Sequence, residues 1–142
     1  MKKLQFIGAL ALSLVFLSCG GSSEGKDGVS SIDMDGPTYE VNVLDFDVEG
    51  KKTTVEIINR SDEAISSIRG RVVFRDSENN PLTTATGRGL DSPFQQTANP
   101  SLVRKKAAKK ITLRNDIPEN TKAITLSEIS IKLNNGEEVT VD

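Results

Sequence analysis

From Pro37 onward the chain alternates apolar and polar residues with a period of two. Tyr39, Val41 and Val43 lie on one phase, and Leu44, Phe46 and Val48 on the other. Alternation of this kind marks a half-buried β-strand, and the change of phase predicts a bulge or a crossover between sheets. Glu49-Gly50-Lys51 reads as a turn, Thr53 to Asn59 as the next strand, and Asn59-Arg60-Ser61-Asp62 as another turn. Ile65 to Asp76 is the longest clear strand region. It sets Ile68, Gly70, Val72 and Phe74 on one face and Arg69, Arg71, Val73 and Arg75 on the other. A three-residue loop at Ser77–Asn79 predicts Phe74 opposite Leu82, with Asn79 left-handed and a shorter strand from Leu82 to Thr86. Gly87 to Lys106 is irregular and reads as a long connection, the class of segment that often carries function. Ala107 to Arg114 alternates again through Lys109, Ile111 and Leu113, and Asp116 to Asn120 interrupts it. For the last hairpin, a loop of Asn134–Gly136 sets Ile131 opposite Val139 and Ile129 opposite Val141. Gly136 then takes the left-handed position of a bulged turn. No segment shows a long 3.6-residue period. About seven strands at short spacing predict an all-β domain, a β-sandwich spanning residues 37–142.

The first residues follow another rule. Met1-Lys2-Lys3 is a short positive start, and Leu4 to Leu17 is almost wholly apolar. At about 14 residues that run is short of the roughly 20 needed to cross a bilayer. A positive start, a short apolar stretch and then small residues is the layout of a secretory signal peptide, here residues 1–18. Gly20 to Gly36 is rich in Gly, Ser and Asp without hydrophobic periodicity, so residues 19–36, beginning at Cys19, read as a flexible tether. Phe16-Leu17-Ser18-Cys19 resembles the lipobox of bacterial lipoproteins. The resemblance implies that Cys19 is lipidated, becomes the first residue of the mature chain and anchors it in a membrane. Gly20 stands where an aspartate would mark inner-membrane retention, so the resemblance favours the outer membrane of the cell envelope. A small-x-small site at Ser18-Cys19-Gly20 leaves a second route open. Cleavage after Gly20 would remove Cys19 and release a soluble secreted protein.

Composition narrows the chemistry. The 142-residue chain carries a net charge of −2. Loss of Lys2 and Lys3 with the leader would lower this by two, to −4. That balance gives no basis for nucleic-acid binding. With no histidine and one cysteine, the commonest general base, a Ser-His-Asp triad, an internal disulfide and a Cys-rich zinc site are all excluded. Asp33-Met34-Asp35-Gly36 supplies too few ligands for a calcium loop, and Gly87-Arg88-Gly89 is too short for a phosphate cradle. Asp45, Asp47, Glu137, Glu138 and Asp142 offer carboxylates without an acid–base pair at a shared cleft. No catalytic residue, metal site or cofactor is expected. Tyr39 and Phe94 are the rings available for stacking.

Two basic groups remain. Arg69, Arg71 and Arg75 form a row that would meet an anionic partner or simply solvate an outer sheet face. Arg104, Lys105 and Lys106, with Lys109 and Lys110, form the strongest charge cluster. It would lie against anionic headgroups or stay in solvent as a loop and strand start. The Val55–Leu82 region resembles the FxLYD-type immunoglobulin-like domains of bacterial envelope lipoproteins. Val72-Val73-Phe74-Arg75-Asp76 stands for the hydrophobic-x-hydrophobic-x-Asp strand, and Ile57-Ile58-Asn59-Arg60-Ser61 for the preceding strand end. The resemblance implies an immunoglobulin-like sandwich without shared catalytic residues. The expectation is therefore a non-enzymatic interaction or accessory module of the envelope, its partner a protein or glycan. The alternative is a small-ligand or glycan binder that uses the 87–106 loop.

Overall fold

The computed structural model describes residues 32–142. The leader, the lipobox-like stretch with Cys19 and most of the expected tether lie outside these residues. Seven strands form among the described residues: β1 (Tyr39–Asp47), β2 (Lys52–Asn59), β3 (Ile65–Arg75), β4 (Asp91–Thr97), β5 (Ala107–Arg114), β6 (Ala123–Leu133) and β7 (Glu138–Val141). They make two antiparallel sheets, ordered β1-β2-β5 and β4-β3-β6-β7. The hairpins β1–β2, β3–β4 and β6–β7 stay within a sheet, while the β2–β3, β4–β5 and β5–β6 connections cross between sheets. The inner faces close over Val55 and Ile57 of β2, Ile68, Val72 and Phe74 of β3, Leu113 of β5 and Ile131 of β6, all at most 2% exposed. The predicted β-sandwich is the observed architecture.

Bulges explain the irregular spacings in the sequence. Val43 pairs with Val55 and Asp45 with Thr54, so Leu44 is the extra residue in β1. One inserted residue keeps Tyr39, Val41 and Val43 on the same inner face as Phe46. The change of phase is therefore a bulge, and it turns Leu44 outward at 45% exposure. A second bulge at Ser66 lets Ile65 and Ile68 both be fully buried.

The turns follow their residues. The Asp76 N–H donates to the Asn80 carbonyl (3.0 Å) and the Leu82 N–H to the Phe74 carbonyl (2.8 Å), with Asn79 at φ 66°. In the last hairpin Ile131 pairs with Val139 and Ile129 with Val141, and Gly136 sits at φ 91°. Two expectations need correction. Leu82–Thr86 is not a strand: it holds one isolated bridge, Thr83–Gly89, just after the bridge Arg75–Pro81. The supposed 87–106 loop contains β4, fully paired with β3 from Asp91 to Thr97. Of the β4 residues turned inward, Ser92 and Gln96 are polar and only Phe94 is apolar, and Pro93 is tolerated because β4 is an edge strand.

Candidate functional site

The β2–β3 turn is an end of the sandwich that its own sequence locks. Asn59 is fully buried. Its Nδ2 donates to the Glu63 carbonyl (2.8 Å) and the Arg104 carbonyl (3.0 Å), and its Oδ1 accepts the Ser61 N–H (3.0 Å). The Ser61 hydroxyl lies 2.7 Å from the same Oδ1. Every bonding site of one buried amide is thus used to join two loops, which accounts physically for the Asn-x-Ser strand end. The next residue, Arg60, donates from Nε to the Asp33 carbonyl (2.8 Å) and from Nη1 to the Pro37 carbonyl (2.8 Å) and to Glu40 (2.8 Å). Glu40 titrates below its ordinary value, chiefly through the Arg60 hydrogen bond. The residues 33–36 expected in the tether are therefore gripped by the domain.

These bonds fix which loops share an end. The Arg60 N–H donates to the Thr38 carbonyl, the Lys106 N–H to the Ser61 carbonyl and the Asn134 N–H to the Ala64 carbonyl. The chain comes into β1 beside the β2–β3, β4–β5 and β6–β7 connections. The β1–β2, β3–β4 and β5–β6 connections gather at the other end, where Asn115 bonds Lys51 and Lys122 bonds Arg75. The 87–106 segment is consequently not one surface. Residues 87–90 lie at the far end and 98–106 at the near end, with the length of β4 between them.

The predicted basic groups are divided in the same way. Lys106 pairs with Asp62 at 2.9 Å. Arg104 and Lys105 share this end with Asp33, Asp35, Glu40 and Glu63, so the cluster does not make a positive pole. Lys109 alternates in phase with Ala107, Ile111 and Leu113, on the inner side of the β5 edge, and Lys110 points to the opposite, exposed face. An inward lysine on an edge strand opposes pairing with another sheet.

The arginine row does lie on one outer face, but each member has a partner there. Arg69 pairs with Glu138 across β6, Arg71 with Asp91 of β4, and Arg75 donates to Thr125 Oγ1 (2.9 Å) and the Asn79 carbonyl (2.8 Å). Asp91 titrates low through the Arg71 hydrogen bond, and Glu138 through the Ser130 hydroxyl and then the Arg69 charge. An open trough of ≈ 530 Å³ runs between Arg69 and Arg71 over Gly70. A Cβ on Gly70 would meet Ile129 Cδ1 at 2.8 Å and the Phe94 ring at 3.1 Å. Phe94 packs against Gly70 and is half-buried, so it is no open stacking platform. Asp45 and Asp47 are exposed on β1, where Asp47 accepts the Gly50 N–H (2.9 Å), and Glu137 and Asp142 are exposed beyond β6. No group of three or more His, Cys, Asp or Glu side chains gathers among the described residues in a way that could hold a metal.

A larger opening than the arginine trough lies where no charge pattern pointed. A groove of ≈ 600 Å³ separates β1 from β6 and β7, lined by Tyr39, Val41, Val43, Leu126, Ile129 and Val141 among others. In sequence these are ordinary inward strand residues. Only the strand order could reveal that the sheets part between them. Compared with protein-family models, curated proteins and solved structures, the chain matches none.

Proposed function

We propose that this protein is a lipid-anchored module of the bacterial cell envelope, held by Cys19 in the outer membrane, that acts by binding another envelope protein without catalysis. The observation that carries this reading is Cys19 itself, set at the end of a short apolar run and followed by Gly20-Gly21-Ser22-Ser23. A cysteine at that boundary serves attachment better than packing, a disulfide or nucleophilic chemistry. Two or three acyl chains at about 0.8 kcal/mol per buried CH₂ would hold the domain stably. The described domain supports the reading in two ways. Its sandwich topology suits the immunoglobulin-like modules that the Val72–Asp76 and Ile57–Ser61 stretches resemble. The arginines of its outer β3 face are held by neighbouring carboxylates, a hydroxyl and a carbonyl, which suits a scaffold better than an acid–base site. Replacing Cys19 by Ser tests the anchor: the expected outcome is a protein released from the membrane fraction, with an N-terminal mass lacking acyl chains. A variant that stays membrane-bound overturns it.

A further inference from the structure

Strand β6 is paired along its whole length on one side only. β3 covers it from Ala123 to Leu133, whereas β7 pairs only with Ile129 to Lys132. The half from Ala123 to Glu128 has no ladder partner on the β7 side among the described residues. The parity of the ladder says which backbone groups this leaves unpaired. The Phe74 carbonyl accepts from Leu82 on the β4 side, so Val73 and Arg75 face β6, and their partners Thr125 and Ala123 face back toward β3. The N–H and C=O groups of Ile124 and Leu126 therefore point along the open edge, up to the bulge at Glu128 where the alternation breaks. Glu128 holds φ 52°, in the left-handed region that non-glycine residues rarely adopt. It is the extra residue in β6 opposite Gly70.

This edge borders the ≈ 600 Å³ groove between β1 and β6. Tyr39, Val41 and Val43 form one wall and Leu126 and Ile129 the other. The charged residues lining it are Glu40, Glu128 and Asp142, all acidic; Glu40 is paired with Arg60, which leaves Glu128 and Asp142 as the open acidic rim. A row of unpaired backbone groups beside an apolar slot is the geometry by which a sheet accepts an extended segment: main-chain bonds give affinity, and alternate side chains fill the slot. We propose that the Ala123–Glu128 edge of β6 takes an extended strand from a partner protein, with alternate apolar side chains in the groove and basic residues against its acidic rim. The inference rests on reading the domain as an interaction module and not on the anchor at Cys19.

The test uses the full chain in detergent, with two labelled seven-residue peptides, one alternating valine and lysine, the other valine and glutamate. Amide hydrogen exchange is read by NMR with and without peptide. In the unliganded protein Ile124 and Leu126 should exchange much faster than Thr125 and Ser127. The lysine peptide should slow those two amides and bind better than the glutamate peptide. Glu128→Lys should weaken the lysine peptide about tenfold, equivalent to about 1.4 kcal/mol. Equal binding of the two peptides, protection elsewhere, or amides already protected without peptide would overturn the proposal. Each of these outcomes is independent of whether Cys19→Ser releases the protein from membranes.

Discussion

The arginine face and the β1–β6 groove are close neighbours on β6, and they reverse the impression given by their residues. The face looks reactive in sequence, with three arginines on alternating positions of one strand. In the fold, Arg69 and Arg71 meet carboxylates 69 and 20 residues away, and Arg75 is held by a hydroxyl and a carbonyl. The groove looks inert in sequence, being lined by valines, a tyrosine and a leucine. In the fold it retains apolar walls and backbone groups without ladder partners. Charge draws attention in a sequence, but a charged side chain on a sheet finds its counter-charge across the strands. Unpaired backbone gives almost no sequence signal, because every residue but proline carries the same N–H and C=O.

The difference can be broken in graded steps. The largest effect should come from Asn59, remote from both regions. Asn59→Ala leaves the Glu63 and Arg104 carbonyls without their buried donor and should cost about 2–3 kcal/mol in denaturant unfolding. Because the lock ties loops rather than either surface, peptide protection at β6 should survive in the folded fraction. Gly70 lies between the two regions. Gly70→Ala drives a methyl into Ile129, a wall of the groove, and into Phe94, and should cost about 1–3 kcal/mol by overpacking. It should also shift the NMR signals of groove and trough together, whereas unchanged stability would show that the two regions are not packed through this glycine.

The smallest effect should come from the charge pairs. Arg71→Ala should barely move the melting temperature, since exposed ion pairs contribute little, but it should raise the pKa of Asp91 toward its ordinary 3.8 in an NMR titration. The sign of the acid response follows from the depressed carboxylates. Stabilisation by Asp91 and Glu138 is fully present above their unfolded values, near 3.8 and 4.5. It is lost as pH falls through their lower folded values. Stability of the parent chain should therefore decline below about pH 4.5, and part of that decline should vanish in Arg71→Ala.

Much of the fold was legible residue by residue. Asn79 and Gly136 have the left-handed tolerance that a three-residue hairpin loop requires, and both hairpins take the predicted register. The phase change at Val43–Leu44 announced an irregularity, although only the pairing with β2 distinguished a bulge from a crossover. β4 was illegible because its sequence, Asp-Ser-Pro-Phe-Gln-Gln-Thr, has one apolar inward residue. It is a strand because the edge of β3 supplies its hydrogen bonds. Leu82–Thr86 shows the converse, a segment with a strand-like start that finds only one isolated bridge.

The sequence by itself determined what depends on near neighbours or on composition: alternation, turn chemistry and the exclusion of a Ser-His-Asp triad, an internal disulfide and a Cys-rich zinc site. The tertiary structure alone decided which charges cancel, that the 87–106 segment runs from one end of the sandwich to the other, and that β7 stops short of half of β6. Those outcomes rest on strand order and on where each ladder ends. Both are set by contacts between residues far apart in the chain, and alternation along a single strand does not encode which strand will lie beside it.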